Sequence, residues 1–174
     1  MRWLSIIVVF LFFSCENSES GKLKRNQKSY IHEAKNVNSY KVIGVKDGDT
    51  FILLKDGQEL IIRFEHIDCP EKKRPFGKEA KKFVSNRCYG KYVSLKGSLK
   101  PDRYNRIIAE VILEDGTNLN QELIENGLAW HLKKYSSSTK YAQLEENARK
   151  LKIGIWSIPN PIEPWNWRKG VRTI

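Results

Sequence analysis

The sequence predicts an α+β domain, a small five-stranded Greek-key β-barrel with three helices. Three observations lead there. Short runs rich in isoleucine, valine and leucine recur from Tyr40 onward, set apart by Asp-Gly turns. A segment of helical spacing, around Ala80 to Cys88, separates the third run from the fourth. Two further helical segments follow the fifth run. The chain has 174 residues, enough for one domain with a real core.

Each element has its own signal. Val42, Ile43 and Val45 mark the first strand, and Phe51 to Leu54 the second. Asp47-Gly48-Asp49 turns between them, with glycine supplying the backbone freedom of a tight reversal. After the Asp56-Gly57 turn, Glu59 to Ile67 reads as one continuous third strand. These three form an antiparallel meander. Pro75-Phe76-Gly77 opens the first helix, with Ala80, Phe83, Val84 and Arg87-Cys88 at helical spacing, and Tyr89-Gly90 closes it. Lys91 to Lys96 is the fourth strand and Arg106 to Leu113 the fifth. Asn118 or Asn120 caps a second helix with Leu119, Leu123 and Ile124 on its apolar face, ended by Asn126-Gly127. Ser136 to Thr139 is a polar loop and the start of the third helix, which carries Tyr141, Leu144, Ala148 and Leu151 and stops at Gly154. An oligonucleotide-binding (OB) barrel has this make-up.

Past the last helix, Trp156 to Trp167 is rich in tryptophan and proline. Pro159, Pro161 and Pro164 rule out regular structure there. Trp156, Trp165 and Trp167 carry too much apolar area to leave in water, so residues 159–174 should wrap back on the domain, with Trp156 most buried. Base stacking by Trp165 or Trp167 is a weaker alternative.

At the other end, Met1-Arg2 is a short positive start, and Ile6 to Phe13 is an apolar run too short to span a bilayer. It fits the apolar core of a secretory signal. Ser14-Cys15 then precedes a polar stretch, which resembles a bacterial lipoprotein signal: residues 1–14 cleaved, Cys15 lipidated. The alternative is an ordinary secretory leader with an incidental cysteine. On either reading the mature protein works outside the cytoplasm, anchored to a membrane if Cys15 is lipidated and secreted if not. Residues 15–38 are polar and basic without apolar period, a disordered tether. Residues 39–158 are the expected domain.

The formal charge is +11, from 31 Lys plus Arg against 20 Asp plus Glu. That describes either a soluble basic surface or one suited to a polyanion, since neutralising phosphates releases counterions. Three cysteines exclude a disulfide framework.

Three clusters carry chemistry. Asp49 begins the second strand and Asp68 ends the third, so both sit at one end of the meander. Two carboxylates converging with carbonyls suit a hard cation such as calcium, and Asp47 could add a contact through water. The same Asp-Gly-Asp-Thr is also simply a good turn. Arg63, on an otherwise apolar strand, must find an anion, and Arg106 stands at the mouth of the fifth strand. Two guanidiniums gripping one phosphate would stabilise a phosphoryl-transfer transition state. Equally, each could make a structural ion pair, Arg63 with Glu65 and Arg106 with Asp102. Glu71, held just past the strand by Pro70, could deprotonate a water or be a surface carboxylate. His66 and His131 do not make a zinc site; His66 reads as a strand residue and His131 as part of a segment packed near the barrel.

Asp47-Gly-Asp-Thr50, then Arg63-x-x-x-x-Asp68-x-Pro70-Glu71, then Asp102-Arg-Tyr-x-Arg106, in this order, resemble the staphylococcal nuclease (thermonuclease) family. Phe76-Gly-Lys-Glu-Ala80, Asn126-Gly-Leu-Ala129 and Gly154-Ile-Trp-Ser157 extend the likeness from about Val42 to Ser157. The resemblance implies an OB barrel with three helices, and a calcium-dependent phosphodiesterase acting on DNA and RNA, single-stranded or frayed. It implies one Ca²⁺ on Asp49, Asp68 and the backbone carbonyl of Cys69. It implies Arg63 and Arg106 on the scissile phosphate, Glu71 on the attacking water, and 3′-phosphate products. Arg103, Tyr104 and Tyr135 would contact substrate. No obligate protein partner is evident, and a monomer is expected.

The chain also departs from the family. Cys69 stands where many relatives have threonine, and Cys69 and Cys88 could pair as a disulfide, although Cys88 reads as a core position. Asn105 replaces a glycine, and asparagine tolerates a left-handed backbone. Lys133 replaces one of two tyrosines that pack on the nucleotide. The loop from Lys72 to Phe76 is short. The rival reading is a catalytically inactive nucleic-acid-binding barrel at the cell surface; such modules tend to lose the acidic and arginine sets, which this sequence keeps.

Overall fold

The structure is a computed structural model that describes residues 39–172. The expected leader (1–14), the expected tether (15–38) and Cys15 lie outside the described residues. Within them the chain runs β1 (Ser39–Val45), β2 (Thr50–Lys55), β3 (Gln58–Phe64), β4 (Ile67–Asp68), α1 (Gly77–Cys88), β5 (Tyr92–Lys96) and β6 (Ile107–Leu113). It continues through α2 (Leu119–Glu125), β7 (Trp130–His131), α3 (Thr139–Lys150), a 3₁₀ turn (Gly154–Ser157) and α4 (Pro164–Arg168).

Strands β1, β2, β3, β6 and β5, in that order, close into a barrel. Every pairing is antiparallel except β3 with β6, where Ile62, Arg63 and Phe64 run parallel to Ile107, Ile108 and Ala109. Alternation puts Val42, Phe51, Leu53, Ile62, Phe64, Val93, Ala109 and Val111 in the core, all but fully buried. Phe51 and Phe64 meet edge to face at 5.0 Å. Helix α1 adds Ala80, Val84 and Cys88 to this core, and α2 adds Leu119, Leu123 and Ile124. The expected barrel and the three expected helices are therefore present.

Two polar residues order the second helix. Asn118 is its cap, its side chain accepting from the Gln121 amide at 3.2 Å. Asn120 is fully buried and does something else: it accepts from Val111 N (3.0 Å) and donates to the carbonyls of Glu65 (3.0 Å) and Ala109 (3.2 Å). One amide thus ties α2 to the seam where β3 leaves β6.

Three expectations need correction. The third strand does not continue to Ile67. It ends at Phe64, His66 takes a left-handed φ of 67°, and Ile67–Asp68 pairs with Trp130–His131 as a separate two-stranded sheet. His66 is thus a corner, not a strand residue. Gly48 is required for space rather than conformational freedom, because a Cβ there would lie 2.7 Å from the Ala80 side chain and 2.9 Å from that of Cys69. The proline-rich tail does hold regular structure. Pro164 occupies the first turn of α4, where a missing N–H costs nothing.

Gly127 and Gly154 lie back to back, at φ of 61° and 56°. A Cβ on Gly127 would run into the carbonyl of Ile153. Gly127→Ala is expected to lower stability by at least the roughly 1–3 kcal/mol of a left-handed non-glycine residue, read as a lower urea midpoint with unchanged slope.

Candidate active site

The corner at Glu65–His66 builds the site. By breaking the strand it swings Asp68, Cys69 and Glu71 over the end of the β1–β2 turn. There Asp49 is 6 % exposed and Asp68 2 %. Arg63 lies between them. Its Nη2 donates to Asp68 Oδ1 at 2.8 Å and stands 3.3 Å from Asp49 Oδ2, while Nη1 donates to the carbonyls of Phe64 and Ile67, each at 2.9 Å. The Glu65 pairing considered from sequence does not form; Glu65 faces His66 instead, at 3.9 Å. Asp49 Oδ2 accepts from the Cys69 amide at 2.6 Å, and Asp49 Oδ1 from the Thr50 hydroxyl at 3.1 Å. Asp47 accepts from the Asp49 amide at 3.1 Å.

This packing concentrates negative charge. Burial, and then the neighbouring Asp49 charge, push the Asp47 carboxyl up to about 6. Burial also holds Asp68 above the ordinary carboxylate range, against the pull of Arg168 and Arg63. Among the described residues no three His, Cys, Asp or Glu side chains are grouped to hold a metal ion. The donors that converge are the two carboxylates of Asp49 and Asp68, with Cys69 lining the same cleft. An all-oxygen set of buried carboxylates fits a hard divalent cation. A cationic group already sits at its edge: Arg168, from α4, donates to Asp68 Oδ2 at 2.5 Å and to Glu71 Oε1 at 2.9 Å.

The opposite bank is the turn before β6. Asp102 organises it, accepting from the amides of Tyr104 and Arg106 at 2.9 Å each. Asn105 adopts the left-handed φ of 57° that its replacement of glycine requires. Arg106 is held by Asp102 Oδ2 at 2.8 Å, so the ion pair foreseen as its alternative role is formed. Its side chain stays 31 % exposed and still lines the cleft. The parallel register explains how the two arginines come to face the same space. Arg63 is opposite Ile108, and Arg106 lies two residues before Ile108 on the same face. Arg103 and Arg106 both stack on Tyr104, at 4.8 and 5.1 Å. Tyr104 and Tyr135 are the exposed aromatic rims. The whole cleft measures about 1610 Å³ and takes in Asp47, Asp49, Arg63, Asp68, Cys69, Glu71, Arg103, Tyr104, Arg106 and Tyr135.

Cys69 and Cys88 are both buried free thiols, and Cys88 donates to the Val84 carbonyl at 3.1 Å within its own helix. Cys88 faces the barrel core, so the disulfide does not form. The two histidines share one partner: His66 Nδ1 and His131 Nε2 both meet the Ser136 hydroxyl, at 2.9 and 2.8 Å. They brace the β4–β7 sheet against the start of α3. Trp156 is the most buried tail tryptophan, edge to face with Trp130 at 5.4 Å. Trp167 is taken up by Arg74 and Arg172, 4.4 and 3.8 Å from its ring. The residue that sequence reading missed is Arg168, which lies about a hundred positions from its partners.

Comparison with known proteins agrees with this geometry. The family described as staphylococcal nuclease homologue matches residues 61–158. A Haemophilus influenzae protein named an uncharacterized endonuclease is 41 % identical over 133 residues, 76 % of this chain and 74 % of that protein. An Escherichia coli protein of the same name is 35 % identical over 74 % of this chain and 83 % of its own length. The micrococcal nuclease of Shigella flexneri is 30 % identical over 74 % of this chain and 79 % of its own length. The closed barrel, the three ordered motifs in one cleft and these matches together place the chain in the staphylococcal nuclease homologue family, as a nuclease whose substrates are nucleic acids.

Proposed function

We propose that the protein is an exported, calcium-dependent phosphodiesterase that cuts DNA and RNA and leaves 3′-phosphate ends. The convergence of Asp49, Arg63, Asp68, Glu71 and Arg106 on one cleft carries this reading. Asp49, Asp68 and the carbonyl of Cys69 would hold the divalent ion. When bound, the ion would supply Lewis-acid polarisation of the phosphate. Arg63 and Arg106 are fixed, permanently charged donors, preorganised for the charge that develops on the phosphate in the transition state. Glu71, 45 % exposed in its side chain, is open to water and can take its proton as that water attacks. Tyr104 and Tyr135 offer faces to unpaired bases, and Arg103 a charge to the neighbouring phosphate. Export, with lipid attachment at Cys15, belongs to the same proposal and rests on the Ile6–Phe13 run followed by Ser14-Cys15. A monomer is part of the same proposal, supported by a cleft to which one chain supplies every named residue.

The test is cleavage of single-stranded DNA and RNA with calcium and again with a chelator, followed by end-group analysis. Calcium-dependent cutting with 3′-phosphate ends is expected. Binding without cutting in calcium would favour the inactive module instead. Cutting untouched by the chelator would remove the cation from the reaction.

A further inference from the structure

Arg168 lies ten residues past the end of the stretch that matches the family. It reaches the centre of the site because α4 is docked by contacts of its own. Arg74 Nη1 donates to the Ile162 carbonyl at 3.0 Å, and the Arg74 guanidinium stacks on Trp167. Ile162 and Pro164 are buried, and Trp165 packs on the cluster formed by Trp130 and Trp156. The helix would hold its place without Arg168.

The oxygens of the site are already shared out. Asp49 Oδ1 serves the Thr50 hydroxyl, Asp49 Oδ2 the Cys69 amide, and Asp68 Oδ1 serves Arg63. Asp68 Oδ2 takes its hydrogen bond from Arg168, and the same guanidinium bridges to Glu71. A divalent ion drawn to Asp68 meets a positive charge already on the oxygen it needs. Two cations on one carboxylate oxygen repel each other strongly where solvent is scarce.

We propose that Arg168 is an internal competitor for the divalent cation: it occupies the Asp68–Glu71 pair until metal displaces it, and so sets the metal affinity of the enzyme. This rests on the cation site proposed above. Apparent affinity falls by the fraction of molecules whose site is open. An Arg168 seated in about nine molecules of ten would weaken metal binding about tenfold. The arginine acts on metal loading and takes no part in the bond-breaking step.

The experiment is calcium titration of the full chain by calorimetry, without nucleic acid, for wild type, Arg168→Gln and Arg168→Lys. Arg168→Gln is expected to bind calcium about tenfold more tightly, and Arg168→Lys, which keeps a charge, to fall between. Melting temperatures taken alongside should stay close to wild type, since α4 keeps its tryptophan and proline contacts. Equal or weaker binding by Arg168→Gln, with wild type binding calcium, would overturn the competition and leave the cation site standing. Absence of binding in all three proteins would overturn the site and the competition with it.

Discussion

Glu71→Gln is expected to bind single-stranded nucleic acid at close to wild-type affinity and to cleave it about 10²–10⁴-fold more slowly. The substitution is nearly isosteric, and its amide oxygen can still accept from Arg168, as Glu71 Oε1 now does at 2.9 Å. What it removes is the ability to take up a proton. The loss should therefore fall on kcat and leave KM little changed, because the missing interaction belongs to the transition state. Single-turnover cleavage and fluorescence anisotropy separate the two quantities. An unchanged cleavage rate would take Glu71 out of the chemistry and return it to the role of surface carboxylate.

Arg63→Leu should lose both activity and stability, the latter by about 3–5 kcal/mol, because it leaves the buried Asp49 without its counter-charge and Asp68 with Arg168 alone. Arg63 is 13 % exposed in its side chain, Asp49 9 % and Asp68 3 %. It also donates to the carbonyls of Phe64 and Ile67, so the corner at Glu65–His66 loosens with it. Arg106→Leu is the control. Its partner Asp102 and Arg106 itself lie nearer the surface, 16 % and 31 % exposed, and such pairs contribute about 1 kcal/mol or less. Arg106→Leu should therefore lose activity with a nearly unchanged urea midpoint. Equal stability in the two variants would mean that Arg63 does not hold the site together.

The barrel was legible because its strands alternate and its turns carry Asp-Gly. The site was legible residue by residue wherever a motif was local: Asp47 to Thr50, Arg63 to Glu71, Asp102 to Arg106. The broken third strand was hidden because Ile67 follows the apolar residues Leu60 to Phe64 so closely, yet its phase gives it away. Ile62 and Phe64 alternate inward, whereas Ile67 is also fully buried three residues later. A period of two cannot place both Phe64 and Ile67 on one face, so the chain must bend between them. The tail helix was missed because Pro164 was weighed as a breaker, when at a first turn it is a starter. Arg168 left no sequence signal, because a lone arginine in a tail has no spacing relation to carboxylates a hundred residues earlier. Only the docking of Trp165 and Ile162 decides where it points.

The parallel seam between β3 and β6 has a consequence in time. Its partners are separated by α1 and β5, so the chain must close a long loop before Arg63 and Arg106 face one cleft. Non-local pairings of this kind are slow and come late, after local hairpins and helices have formed. A chain with its meander and first helix in place holds Asp49 and Arg63 but lacks both the bank that carries Arg106 and the β7 partner that seats Asp68. Catalytic competence should thus arrive with closure of the barrel rather than grow with it. A chain held short of that closure is expected to leave nucleic acid uncut, since its two banks have not yet met.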